Sequence, residues 1–94
     1  MSTLRRVSDI ITKENELFDR LWYGRKKPFG DPSWEGVPDD IKAGAERGKR
    51  RVEEQIPREV LDQDVASDWD WGFLGGSISA IRWVLGDEWG NLDS

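Results

Sequence analysis

Ninety-four residues, 36% apolar and 35% charged with a net charge of −5, describe one small acidic domain over 1–94. The absence of cysteine and histidine removes disulfides, thiol nucleophiles, serine–histidine triads and the usual zinc ligand sets. The longest uncharged run, Trp71 to Ile81, is too short and too glycine-rich to span a bilayer, and no apolar stretch follows Arg5 and Arg6 as in a secretory signal. A cytoplasmic chain with no membrane contact is expected.

The chain reads as three helices. From Leu4, apolar residues recur at helical spacing through Val7, Ile10, Ile11, Leu17, Phe18, Leu21 and Trp22. Ser2 or Thr3 is a suitable cap and Gly24 a suitable stop. Between Arg25 and Pro38, three prolines and two glycines predict a loop, with Phe29 and Trp34 holding it onto the helices. The second helix starts near Pro38, where Asp39 and Asp40 meet the positive end of the helix dipole. Its face of Ile41, Ala45, Gly48, Val52 and Gln55, with Gly44 beside it, is small, so another helix or a ligand is expected to approach closely. Pro57 ends it, and residues 58–66 read as a connection with at most one helical turn.

The third helix is the best defined. Ser67 caps it, Asp70 stands where a capping-box acid belongs, and Gly86 provides the left-handed stop. Leu74, Ile78, Ile81 and Leu85 form one apolar row, widened by Phe73, Ala80 and Val84. Gly72, Gly76, Ser79 and Trp83 form a second, close-packing side. Asp87 is placed to cap a last short turn through Trp89 and Leu92. The expected fold is all-α: a hairpin of the second and third helices with the first packed across it. A helix apolar on more than one face, in a chain with six tryptophans, predicts a homo-oligomer.

Charge is unevenly distributed. Residues 1–58 carry a net charge of +2 and residues 59–94 a net charge of −7. The acidic total excludes a general nucleic-acid binder, which needs a broad positive field. Local basic clusters remain suited to a small anion or to the acidic segment of a neighbouring chain.

The segment Trp71-Gly72-Phe73-Leu74-Gly75-Gly76-Ser77-Ile78-Ser79-Ala80-Ile81, followed by Arg82-Trp83-Val84-Leu85-Gly86-Asp87-Glu88-Trp89 and the Leu92-Asp93 tail, resembles the end of a small protein family of bacteria and their phages. Its members finish with a glycine-containing helix, the same Arg-Trp-Val-Leu-Gly-Asp-Glu-Trp block and a Leu-Asp tail. They often carry lysine where Ser77 stands. A weaker likeness surrounds Leu21 to Arg25. The resemblance covers about the last quarter of the chain and implies a helical fold, with no activity attached to it.

The residue chemistry offers one ligand site. Trp22 and Tyr23 present aromatic faces beside Arg25, Lys26 and Lys27 where the first helix ends, and Gly24 is expected to swing those cations off the helix. Aromatic faces stack on a nucleobase while guanidinium and ammonium groups hold phosphates. Arg47, Arg50 and Arg51, with Lys42 nearby, form a second basic row facing the same anion. Arg82, the sole cation after Arg58, needs a partner if buried. Asp87, Glu88, Glu14 and Asp19 are candidates for a helix-to-helix ion pair, and a ligand phosphate or carboxylate is the alternative. Asp62, Asp64, Asp68 and Asp70 suggest magnesium only weakly, because they straddle a loop and a helix start. No cofactor, metal or catalytic set is expected.

Three functions fit these residues. The first is capture of a small phosphate-bearing ligand, such as a nucleotide signal, in pockets between subunits. Small all-helical phage proteins that sequester nucleotide immune signals, in immune evasion, are similar in size and helical content. The second is a protein-interaction module or inhibitor anchored by exposed tryptophans. The third is a metal-dependent nucleotide hydrolase.

Overall fold

A computed structural model describes residues 4–26 and 31–89. The expected caps Ser2 and Thr3, the cation Lys27, the loop anchor Phe29 and the Leu92-Asp93 tail lie outside the described residues. Among the described residues the chain is all-helical, with four α-helices rather than three: α1 (Val7–Arg25), α2 (Asp39–Gln55), α3 (Arg58–Asp64) and α4 (Asp68–Val84). A single 3₁₀ turn, Pro32–Trp34, interrupts the loop before α2, and the Asp31 side chain caps it by accepting from the Ser33 N–H at 2.9 Å.

α1 runs through Gly24 instead of stopping there, and ends at Arg25. Gly24 is needed for its missing side chain. A Cβ there would sit 2.5 Å from Cζ3 of Trp71, so the glycine is a notch in α1 that admits an indole from α4. Gly48 plays the same part on α2, where an added Cβ would meet Cη2 of Trp22 at 2.9 Å. Close approach by another helix is therefore correct for Gly48. Gly44 has only an Arg47 side chain near it, and Ile41 is exposed.

Residues 58–64 form a two-turn helix where a connection was expected. Its order comes from distant partners. Leu61 is buried against Val52 and Ile56, with Trp22, Tyr23 and Val60 packed around them. Arg20 Nε and Nη2 donate to the two carboxylate oxygens of Asp64 at 2.9 and 2.7 Å, which ties the end of α3 to α1.

α4 has the predicted boundaries. The Ser67 hydroxyl accepts from the Asp70 N–H at 3.1 Å and donates to its carboxylate at 2.6 Å. At the other end Gly86, at φ +112°, closes a Schellman turn: its N–H donates to the Trp83 carbonyl and that of Asp87 to the Arg82 carbonyl. Leu74 and Ile78 are buried, but Phe73 and Val84 point outward instead of widening the core row.

The arrangement corrects the expected hairpin of the second and third helices. α1 is the hub. It packs antiparallel against α4 and also holds α2 and α3, while α3 touches α4. Leu17 and Leu21 meet Leu74 and Ile78 in one cluster, and Trp22 and Tyr23 join Val52, Ile56 and Leu61 in the other. α2 is too rich in charge to cover α4, so the outer face of α4 stays open. The molecule is elongated, 51 × 26 × 25 Å. No helix among the described residues is long and apolar enough to cross a membrane.

Candidate functional site

At the end of α1, Trp22 and Tyr23 each stand beside a lysine, and the swing expected at Gly24 does not occur. Arg25 continues the helix. Lys26 Nζ lies 5.0 Å from the centre of the Trp22 ring, and Lys49 Nζ lies 5.3 Å from the Tyr23 ring. The Tyr23 hydroxyl donates to Glu53 Oε2 at 2.8 Å and accepts from Arg58 Nη1 at 3.4 Å. Burial, reinforced by the Glu53 carboxylate, pushes the Tyr23 phenol above its ordinary pKa. These contacts bring α2 beside the aromatic end of α1. Arg51 is held by Asp19 at 3.1 Å, whereas Arg25, Arg47 and Arg50 are exposed and form no ion pair with a described residue.

Arg82 belongs to a different place. It is 6% exposed inside the α1–α4 contact, where Nε donates to Glu14 Oε1 at 3.1 Å and the guanidinium lies 5.4 Å from the centre of the Phe18 ring. Of the four conceivable partners, Glu14 is the one that meets it. The structure thus joins Trp22, Tyr23, Lys26 and Lys49 in one region, holds Arg51 on Asp19, and sets Arg82 in another place.

The acids have partners of their own. Arg58 Nε reaches Asp62 at 3.1 Å, Arg20 holds Asp64, and Ser67 and Gln63 donate to Asp70. The Ser67 hydroxyl, then Gln63, hold the Asp70 carboxyl below the usual carboxylate range. Among the described residues no group of three or more carboxylates is gathered for a metal.

A second candidate surface is the outer side of α4. Trp69, Phe73 and Trp83 are 72%, 63% and 57% exposed, and with Gly76 and Ala80 they recur at the four- and three-residue spacing of one helical stripe. Trp69 stacks on Phe73 at 5.3 Å between ring centres, and Trp83 meets Trp89 edge-on at 6.2 Å. A Cβ added at Gly72 or Gly76 would meet nothing within 4 Å. The tryptophans and the excess of apolar faces are visible in the sequence, whereas Trp69 and Phe73 are not among the expected ligand-site residues. The spacing of 69, 73, 76, 80 and 83 was the available signal.

Between the start of α1 and the end of α4 lies a groove of about 490 Å³. Ile10, Ile81 and Val84 line it together with Arg5, Asp9 and Lys13. The chain matches no protein-family model, no curated protein and no solved structure.

Proposed function

We propose that the chain is a protein-docking module whose contact surface is the outer stripe of α4. The observation that carries this reading is the exposure of Trp69, Phe73 and Trp83 on one face of one helix. Large indole and phenyl groups in water are unfavourable, and tryptophan is the residue type most enriched among interface hot spots. No charge interrupts the stripe from Trp71 to Ile81. The flat side made by Gly76 and Ala80 lets a partner backbone approach, and the flanking rings then close on it.

A photo-crosslinking residue placed at Phe73 tests the reading. The expected product is an adduct that maps to one defined peptide and disappears in the Trp69→Ala background. A crosslink yield no higher than from Glu54, an exposed position on α2, overturns it.

Capture of a small phosphate-bearing ligand is the second reading. It is favoured by three exposed arginines, Arg25, Arg47 and Arg50, that have no carboxylate partner among the described residues. Calorimetry with a panel of linear and cyclic nucleotides decides it. Micromolar binding that is lost in Arg25→Ala with Arg47→Ala supports it, and no binding below millimolar concentration rejects it.

A further inference from the structure

We infer that a second copy of this chain packs on the end of the molecule formed by the start of α1 and the end of α4, giving a two-fold, four-helix assembly. This inference builds on the docking role proposed for α4 but uses the C-terminal end of that helix, where the two surfaces share Trp83.

The first observation is shape. The radius of gyration is 15.2 Å, against about 12 Å for a compact chain of this length. α2 and α3 gather around the later part of α1, through Asp19, Arg20, Trp22 and Tyr23. Gln55 and Ile56, at the end of α2, reach back along α1 as far as Thr12, and among the described residues the turn before it is met by α4, through Ile10 against Ile81 and Val84. A two-helix layer cannot enclose a core, and this end leaves Leu4, Val7, Ile11, Trp83, Val84 and Trp89 exposed.

The second observation is area. Two indoles at this exposure present on the order of 300 Å², taking about 150–250 Å² per aromatic side chain. The four aliphatic side chains bring the apolar surface exposed at this end, summed over its side chains, towards the roughly 800 Å² per partner of a standard interface.

The third observation selects a second copy over a partner of another kind. Arg5 and Arg6 precede the N-terminus of α1, and Asp87 and Glu88 follow the C-terminus of α4. Each pair stands against the dipole of its own helix: cations at a positive end, carboxylates at a negative end. All four side chains are exposed, and none pairs with a described residue. An isologous interface sets one patch against its own copy, so a patch that carries both signs can answer itself. Placing the start of α1 from one protomer beside the end of α4 from the other puts arginines against carboxylates twice over. The groove lined by Ile10, Ile81 and Val84 then receives an apolar side chain of the partner.

Light scattering coupled to size exclusion, at micromolar and tenfold higher concentrations, provides the test. The protein is expected at twice the 10.8 kDa chain mass. Val84→Glu and Val7→Glu, both at exposed positions, should each weaken the dimer by roughly tenfold or more while leaving helix content unchanged. Arg5→Glu with Arg6→Glu should weaken it as well, and adding Asp87→Lys with Glu88→Lys in the same chain should restore it. Trp69→Ala with Phe73→Ala lies away from this end and should leave the mass doubled. A monomer at every concentration overturns the inference, as does a dimer indifferent to Val7→Glu and Val84→Glu. Crosslinking from Phe73 reports separately on the docking stripe, so a monomer that still crosslinks there fails this inference alone.

Discussion

At the scale of single residues, two glycines that look alike in sequence have opposite consequences. Gly24→Ala gains helix propensity, about 1 kcal/mol, but drives a methyl group into the rigid Trp71 ring and the Val65 side chain. Overpacking of this kind costs about 1–3 kcal/mol, so denaturant unfolding should show a net loss of stability. Gly72→Ala meets nothing within 4 Å and should stabilise by about 0.5–1 kcal/mol in the same measurement. Arg82→Ala strands the Glu14 carboxylate, itself largely buried, and is expected to cost about 3 kcal/mol. Tyr23 sets a pH dependence. Its phenol titrates above the ordinary value of about 10 because burial and Glu53 favour the neutral form. The folded state therefore binds this proton more firmly than the unfolded chain. That contribution is complete below about pH 10 and is lost as pH rises through the raised pKa. Tyr23→Phe should flatten the alkaline limb of a stability profile measured by urea midpoints.

At the scale of elements, the difference between α4 and α3 shows what a sequence can reveal. The ends of α4 are set by Ser67, Asp70 and Gly86, whose bonds close within a few residues, so its boundaries were legible. α3 has seven residues, too few to be stable alone, and its order depends on Arg20 and on Val52 and Ile56. Nothing local announces it. Asp64→Ala should therefore melt α3 selectively, with loss of amide protection over residues 58–64 while α4 remains protected. The stop expected at Gly24 failed for a related reason, since the choice between helix end and helix notch is made by Trp71 on another element. The candidate site divides in the same way. Trp22, Tyr23 and Arg25 adjoin in sequence and so could be read as a group. The docking stripe of α4 could be read as apolar, but its freedom depends on which face α1 covers. Ser67→Ala, which removes the cap of α4, should cost about 1 kcal/mol.

At the scale of the molecule, length and stability are linked. An elongated chain with two small apolar clusters has little interior, and the inferred second copy supplies what one copy lacks. Dimer formation makes the melting temperature depend on protein concentration. A tenfold dilution should lower it in the wild type and leave it unchanged in Val84→Glu. Raising the salt concentration should weaken the association, because the arginine and carboxylate pairs that choose the partner lie at the rim in contact with water.

That 51 Å length also depends on where α2 stands along α1, and the notch at Gly48 has a twin. Gly44 lies one turn earlier on the same helix, as Arg47 lies one turn before Arg51. Sliding α2 by one turn would seat Trp22 on Gly44 and hand Asp19 from Arg51 to Arg47, so two of the contacts would be reproduced. Two others would not. Val52, with no exposed surface, would give way to Gly48 in the interior, and Lys49 would replace Glu53 opposite the Tyr23 hydroxyl. Val52 thus acts as the detent of a ratchet whose teeth repeat every four residues. Val52→Ala would blunt that detent, and exchange broadening of the Trp22 indole signal would report two registers where the native chain keeps one.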